Sequence, residues 1–442
     1  MSVGKITALS LAVLAMTPQV ARANGRFPDA QQLVVDAGDA DHIAVQTTYG
    51  FIITRNGGAN WTWSCEQAAK YSGILDPPIA IVDGGVLLAA VFDGLSVTSP
   101  DGCDYTFVEG DLLGRFFVDV STMKQDPTHA IALSSDGLGG NNFDTQVWQS
   151  TDAAATWQKR GVALPTSFLG FTLDAALDDE DLIYLSGFDV ITSSSYVGSL
   201  AVSSDGGETW QLKPIPGSQN DAGPYIAAID PNDHDTVYVR LDSLAGVLLV
   251  THDQGDSWET IFEGQGSLLG FALSPDGSEV RVGGDVDGIW GASTSDHAFE
   301  AVNDVAVRCL TWAGDTLFAC GREALDEFTV AKSLDGGITF EPIHHLSCLD
   351  GPDPACEAGT TIADECTGPW AAQQQIIQTD LCEPVGGAGG AGTGGGAPSS
   401  DDGDDGCSCR QAAAAKGSSG AALWLAGLSL AGLSLRRRRR WA

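Results

Sequence analysis

Basic side chains are scarce in this sequence. Its 442 residues include 22 Lys and Arg against 58 Asp and Glu, which gives a formal net charge of −36. Nine of the basic residues lie within the first 22 positions or after Cys409, so the stretch between is more acidic still. A field of this sign repels phosphate and argues against a nucleic-acid-binding protein.

Helical periodicity is also lacking between residues 25 and 345. Apolar residues make up 43% of the chain, which is enough for a large core and excludes a mostly disordered protein. They fall in short runs next to turn signals, such as Val86–Phe92 before Asp93-Gly94, or Thr236–Leu241. Short apolar runs bounded by turn residues predict β-strands.

One octapeptide recurs along this part of the chain. Its best copy is Ser203-Ser204-Asp205-Gly206-Gly207-Glu208-Thr209-Trp210, and copies start at residues 54, 99, 150, 203, 251, 293 and 333. The Ser and Asp side chains fix a tight turn, the fifth-place glycine permits positive φ, and the eighth-place aromatic begins the next strand. Successive copies start 40 to 53 residues apart, a repeat length that is typical of propeller blades. The third-place and eighth-place residues are Asn56, Asp101, Asp152, Asp205, Asp253 and Asp335, and Trp61, Trp157, Trp210, Trp258 and Phe340.

The octapeptide resembles the Asp-box, the BNR-type Ser-x-Asp-x-Gly-x-Thr-Trp repeat of sialidases, sortilin-type receptors and many secreted propellers. The resemblance implies a structural turn at the blade periphery that carries no chemistry itself. Together with the repeat length it predicts an all-β fold, a single seven-bladed β-propeller over residues 24–345. Two degraded copies leave six or eight blades as alternatives. An early strand, Gln32–Val35 or His42–Thr48, is a candidate for completing the last blade.

The N-terminal segment is typical of a targeting sequence. Lys5, a short apolar run and the small-x-small sequence Ala21-Arg22-Ala23 follow one another in the order of a secretory signal. We therefore predict a signal peptide over residues 1–23 and a mature chain that folds where cysteines oxidise.

The C-terminal segment has three parts. Residues 386–406 are rich in Gly and Asp and predict a flexible linker. Residues 407–442 contain Cys407, Cys409, an apolar stretch and five consecutive arginines. This arrangement resembles the myxobacterial C-terminal sorting signal. The resemblance implies cleavage at one of the two cysteines by a sorting protease of the myxosortase type, a transmembrane helix before the arginines, lipid attachment and display on the outer surface of the cell. An ordinary C-terminal anchor helix is the alternative.

The even number of cysteines, ten, indicates disulfide bonds in an exported chain. Cys309 and Cys320 flank a short turn and are predicted to link neighbouring strands. Cys65 and Cys103 follow octapeptide regions in adjacent blades and are candidates for a second bridge. A further group lies after the propeller: Cys348, Cys356, Cys366 and Cys382.

This last group predicts a small disulfide-held cap over residues 346–385, beside the last blade and with one short helix. Its four cysteines allow three pairings, between which the sequence does not choose. Zinc is the alternative, although the group lacks the close Cys-x-x-Cys pairs that zinc prefers.

Catalytic motifs are lacking as well. No tyrosine stands in the context of a sialidase nucleophile, no histidine belongs to a Ser-His-Asp arrangement, and carboxylates are too numerous to nominate a glycosidase pair. No cofactor is predicted; calcium at Asp230–Asp235 or Asp285–Gly288 is an alternative that turn chemistry explains equally well. The sequence therefore favours a non-catalytic, cell-surface binding or scaffolding module for an extracellular protein or glycan. The alternative is a glycoside hydrolase of the Asp-box propeller type acting on a surface polysaccharide.

Overall fold

The computed structural model describes residues 27–382, except residues 73–74, 124, 178 and 220–221. These residues belong to the first of two units of the chain, residues 1–385. Within them, 28 strands form seven four-stranded antiparallel sheets, and in each sheet the strands lie in chain order. The prediction of an all-β, seven-bladed propeller is confirmed.

Blades 1 to 4 take four consecutive strands each. Their strands are β1 (Ala30–Val35), β2 (Ile43–Thr47), β3 (Gly50–Thr54) and β4 (Thr62–Ser64) in blade 1; β5 (Ile79–Val82), β6 (Val86–Val91), β7 (Gly94–Thr98) and β8 (Tyr105–Phe107) in blade 2; β9 (Phe117–Thr122), β10 (Ala130–Gly139), β11 (Asn142–Ser150) and β12 (Gln158–Arg160) in blade 3; β13 (Phe168–Ala175), β14 (Ile183–Thr192), β15 (Ser195–Ser203) and β16 (Gln211–Gln219) in blade 4.

Blades 5 to 7 follow the same plan. Their strands are β17 (Gly223–Ile229), β18 (Val237–Asp242), β19 (Val247–Thr251) and β20 (Glu259–Glu263) in blade 5; β21 (Gly270–Leu273), β22 (Glu279–Gly284), β23 (Gly288–Ser293) and β24 (Glu300–Asn303) in blade 6; β25 (Cys309–Ala313), β26 (Thr316–Cys320), β27 (Val330–Ser333) and β28 (Glu341–His344) in blade 7. A four-residue helix, α1 (Glu323–Asp326), connects β26 to β27, and α2 (Thr367–Ile377) follows the propeller.

The core lies between adjacent blades. Several middle strands are buried along their whole length because a neighbouring blade covers each face, as β2, β3 and β6 show. Leu88 of blade 2, for example, packs in one cluster with Phe117 and Trp148 of blade 3. The fourth strands form the rim; β12, for example, is Gln-Lys-Arg and has no buried residue.

The first strands of the seven blades surround the central axis and contact one another in sequence, with β25 returning to β1. Blade 7 is complete without a strand from the N-terminus, because β25 to β28 already form four paired strands. The prediction that Gln32–Val35 or His42–Thr48 completes the last blade is therefore wrong. Those segments contain β1 and β2, the inner strands of blade 1.

All seven octapeptides lie between the third and fourth strands of their blades. Because strand direction alternates, these turns share one edge of the ring with the turns between first and second strands. Backbone hydrogen bonds join the two sets, as from Gly57 to the Asp41 carbonyl and from Gly206 to the Asp181 carbonyl, both 2.9 Å. The turns between second and third strands lie on the opposite edge. We call them tip turns, and that side of the propeller the tip face.

Each octapeptide turn holds itself together through its side chains. In blade 4 the Ser203 hydroxyl donates to Asp205 Oδ1 at 2.8 Å, and the Thr209 hydroxyl donates to Asp205 Oδ2 at 2.7 Å. The backbone N–H of Gly207 donates to Ser203 Oγ at 2.8 Å. The hydrogen bonds that Asp205 accepts from Thr209 and Ser203, the Thr209 hydroxyl first, lower the pKa of Asp205. The same set of bonds recurs around Asp152, Asp253 and Asp335.

The cap differs from the prediction in what it contacts. Two disulfides join it to blades 1 and 2, Cys65–Cys366 and Cys103–Cys356, and within it Cys348 pairs with Cys382. The proposed Cys65–Cys103 bridge is therefore wrong, as is zinc coordination by the four late cysteines. The bond between Cys309 and Cys320 is confirmed; the two residues face each other across β25 and β26.

The position of the cap has a physical reason. The fourth strands β4 and β8 have three residues each and would leave their outer edges open to water or other chains. The returning chain covers them, with the Trp63 N–H donating to the Gly351 carbonyl at 2.7 Å and Ile362 N–H to the Cys103 carbonyl at 3.1 Å. The predicted cap helix is present as α2. No helix within residues 27–382 is both long and apolar enough to cross a membrane.

Candidate functional site

The tip turns of blades 2 to 7 each present one large apolar side chain to solvent. These side chains are between 44% and 83% exposed. In blade 1 the tip turn itself is buried, and Phe27 lies over it, its carbonyl accepting a hydrogen bond from Thr48 Oγ1 at 2.8 Å. Phe27 is half-exposed and supplies the seventh side chain. We call this set the apolar ring: Phe27, Phe92, Leu138, Ile191, Leu244, Val286 and Leu325.

A carboxylate lies within two residues of every member of the apolar ring. Some of these side chains are exposed, as Asp93, Asp242 and Glu327 are. Others are half-buried in ion pairs. We call the set the acidic collar: Asp29, Asp93, Asp136, Asp189, Asp242, Asp285, Asp287 and Glu327.

Arginines on the tip face are engaged by these carboxylates. Arg308 Nη1 lies 3.0 Å from Asp285 and 3.7 Å from Asp29, and Arg322 Nη1 lies 3.5 Å from the same Asp285 oxygen. Burial raises the pKa of Asp29, and the two arginines oppose that rise. Arg115 Nη1 is 3.0 Å from both Asp136 and Asp144. Arg115, Arg308 and Arg322 are thus matched by carboxylates, and the collar residues outside these pairs leave the face acidic.

An aromatic group occupies the tip side of blades 4 and 5. The rings of Phe171 and Tyr225 stack with their centroids 5.6 Å apart, and Phe188 meets Phe171 edge-on at 5.1 Å. Arg240 lies over the Tyr225 ring at 4.9 Å, and Tyr196 extends the group beyond Phe188. Phe188 is buried and Arg240 covers the Tyr225 ring, so these aromatic side chains pack mainly within the protein.

One carboxyl on an inner strand is half-buried. Asp119 on β9 accepts the Leu173 N–H of the next blade at 2.9 Å and the Val120 N–H at 2.9 Å. Burial raises its pKa to about 7, and the nearby Asp174 adds to the rise. Its hydrogen bonds give Asp119 the geometry of a brace between blades 3 and 4. A pocket beside Asp174 has a volume of about 20 Å³, enough for a water molecule but not for a sugar.

The carboxylates considered for calcium are engaged in their own turns. Asp230 Oδ1 accepts the Asn232 N–H at 2.8 Å, and Asp287 accepts the N–H groups of Gln265 and Gly266 at 2.9 Å. In the described part of the chain, no three His, Cys, Asp or Glu side chains converge as a metal site. Calcium binding stays an untested alternative to the prediction of no cofactor. Residues 1–23, the linker 386–406 and the segment with Cys407 and Cys409 lie outside the described residues.

A GH74 enzyme has the same type of fold. The crystal structure of an ancestral GH74 enzyme superposes with a TM-score of 0.54 and 14% identity over 72% of this chain and 46% of that one. Hydrazine synthase from Kuenenia stuttgartiensis superposes with a TM-score of 0.50 and 9% identity, over 72% of this chain and 98% of that one. The GH74 enzyme of Niastella koreensis superposes with a TM-score of 0.40 and 12% identity, over 71% of this chain and 65% of that one.

The likenesses to the ancestral GH74 enzyme and to hydrazine synthase show the fold alone. The chain spans about half of the ancestral GH74 enzyme and just under two thirds of the Niastella koreensis enzyme. No protein-family model matches the sequence, and no curated protein matches it either.

Sequence reasoning did not identify the apolar ring. The octapeptides mark the opposite edge of the propeller, and each ring member is a single apolar residue among many. A signal was nevertheless present. Six ring members precede the octapeptide of their own blade by about a dozen residues or fewer, always beside a carboxylate.

Proposed function

We propose that the protein is an exported, surface-anchored binding module that holds a protein or glycan ligand on its tip face. The apolar ring is the observation that carries this proposal. Exposed apolar side chains are ordinary when scattered, whereas a set contributed by all seven blades to one face is typical of an interaction site.

The proposal includes the route to the cell surface. Four disulfides favour an oxidising compartment, in keeping with the predicted signal peptide. The sorting signal would then attach the chain through Cys407 or Cys409. The octapeptide turns serve as structural Asp-boxes in this proposal, and their hydrogen bonds support that role. Replacing both cysteines should leave the precursor uncleaved; normal surface display of that double variant would contradict the anchoring step.

The binding proposal is tested with the full chain on glycan arrays and panels of purified extracellular proteins. A ring variant carries Phe92→Ser, Leu138→Ser, Leu244→Ser and Leu325→Ser. A matched control carries Leu334→Ser and Ile338→Ser, which are 76% and 63% exposed on the octapeptide edge. We expect a ligand that the parent and the control bind and the ring variant loses. Equal binding by all three proteins would refute a role for the tip face.

Hydrolysis of a surface polysaccharide is the second candidate function, and Asp119 is the observation in its favour. A general acid in a glycosidase must keep its proton at neutral pH, as a carboxyl with a pKa near 7 does. The test is turnover of a panel of neutral polysaccharides by the full chain. Turnover abolished by Asp119→Asn, in a variant that still folds, would favour the hydrolase over the binding module.

A further inference from the structure

The tip face presents exposed apolar side chains and carboxylates close together in the sequence. Every member of the apolar ring has a carboxylate within two residues along the chain, and this holds for all seven blades. Apolar area and negative charge therefore alternate around the whole face. A ligand that contacts one ring member also meets a carboxylate.

The charge of the face narrows the ligand class. Arg115, Arg308 and Arg322 are each held by carboxylates, so they offer little attraction to an anion. Arg240, also on this side, packs over the Tyr225 ring and donates to the Leu268 carbonyl. The chain as a whole carries a net charge of −36. Anionic glycans and anionic lipid surfaces are repelled by such a field, whereas a cationic partner is attracted.

The side chains of the apolar ring restrict the class of ligand further. Five of the seven members are aliphatic: Leu138, Ile191, Leu244, Val286 and Leu325. Sugars stack on flat aromatic faces, whereas branched aliphatic side chains pack against the apolar side chains of another polypeptide.

We infer that the tip face binds a basic, amphipathic polypeptide segment. Its apolar side chains contact the apolar ring, and its Lys and Arg side chains pair with the acidic collar. This inference rests on the proposed function and specifies its ligand.

The test measures binding of model peptides to the full chain by fluorescence anisotropy at about 0.15 M salt. The probe is an amphipathic Lys/Leu peptide of about five helical turns. Comparison probes are a Glu/Leu peptide of the same length, polylysine, a neutral polysaccharide and vesicles of phosphatidylglycerol or phosphatidylcholine. We expect the Lys/Leu peptide to bind more tightly than each comparison probe.

Two charge variants locate the contact. The collar variant is Asp93→Asn, Asp242→Asn and Glu327→Gln; the control variant is Glu208→Gln, Glu259→Gln and Asp315→Asn, which removes the same charge from the octapeptide side. We expect the collar variant and the ring variant each to weaken Lys/Leu binding roughly tenfold, and the control variant to change it little. Equal weakening by both charge variants would mean attraction to the overall charge only, and would overturn the inference.

The remaining outcomes separate this inference from the proposed function. If a polysaccharide or vesicle binds best and the ring variant loses it, the tip face is a binding site and the polypeptide inference fails. If every probe binds the ring variant and the parent with equal affinity, the polypeptide inference and the proposed function of the tip face both fail. Weaker binding of the Lys/Leu peptide than of polylysine would also contradict the role of the apolar ring.

Discussion

Thr311 on β25 donates a hydrogen bond from its hydroxyl to the Leu33 carbonyl on β1, at 2.8 Å. The two residues lie 278 positions apart in the sequence and belong to the last and first blades. Since blade 7 borrows no strand from the N-terminus, contacts of this kind hold the ring closed. Trp61 adds another, its indole N–H donating to the Ile343 carbonyl at 3.0 Å.

Removing the Thr311 hydroxyl should weaken the closure. We expect Thr311→Val to lower the free energy of unfolding by about 1–2 kcal/mol, because the partly buried Leu33 carbonyl loses its partner. Urea unfolding followed by tryptophan fluorescence measures the change. Thr311→Ser keeps the donor and should recover most of the loss; a serine variant as unstable as the valine variant would contradict this.

The cap disulfides should contribute more stability than the hairpin disulfide. Cys65–Cys366 joins residues 301 apart, and with Cys103–Cys356 in place it closes the loop through residues 65–103 and 356–366. That loop is longer than the one between Cys309 and Cys320, which are 11 residues apart, so it restricts the unfolded chain more. We expect the double change Cys65→Ser and Cys366→Ser to cost about 4–5 kcal/mol and the change at the hairpin pair about 2–3 kcal/mol. Calorimetry of the two variants in parallel gives the comparison. A larger loss at the hairpin would show that chain entropy does not govern these bonds.

The octapeptide of blade 3 contains alanine where blade 4 has glycine. Ala153 adopts φ 53° and Ala154 φ 68°, the left-handed region that Gly206 and Gly207 occupy without strain. We expect Ala153→Gly to raise the free energy of unfolding by about 0.5–1 kcal/mol.

The control for that substitution lies two residues away. Ala155 is exposed and lies outside the left-handed region, so Ala155→Gly should lower stability by about 0.4–1 kcal/mol. Chemical denaturation of both variants tests the prediction. Destabilisation by both substitutions would indicate that the backbone of Ala153 is not strained.

A buried histidine should make the fold sensitive to acid. Burial lowers the pKa of His344 from 6.5 to about 3, and its ring packs against Trp61 at 4.9 Å. The folded pKa lies below the unfolded one, so the contribution to stability is complete above pH 6.5 and is lost as the pH falls towards 3. At pH 4.5 the loss should reach about 2–3 kcal/mol.

Unfolding free energies measured from pH 7 to pH 4.5 test this prediction. His344→Leu, which keeps the apolar contact with Trp61, should remove that part of the acid dependence. An equally steep loss of stability in the leucine variant would assign the acid sensitivity to other groups.

The repeat made most of the fold predictable. Each octapeptide specifies a local turn through bonds such as Ser203 to Asp205, and local rules of this kind can be recognised without tertiary information. Counting the copies therefore counted the blades. The cap helix and the Cys309–Cys320 bond were likewise local features.

Features that join distant parts of the chain were not predictable. Cys65 pairs with Cys366 because the cap crosses to the exposed edges of β4 and β8, which no spacing in the sequence reveals. Closure without strand exchange depends on whether β25 to β28 complete their own sheet. The apolar ring emerges only when the propeller places Phe27 and Leu325 on the same face.

The Cys65–Cys366 bond also determines how the molecule bears tension. Blades 2 to 7 lie entirely within the covalent loop that this bond closes, and Cys348–Cys382 closes a second loop at the exit of the chain. A pull from the C-terminal side of Cys382 is carried through Cys348 to the end of blade 7, and through Cys366 and Cys356 to blades 1 and 2. The strands of blade 7 cannot be peeled away one after another, as they would be on a chain without cross-links.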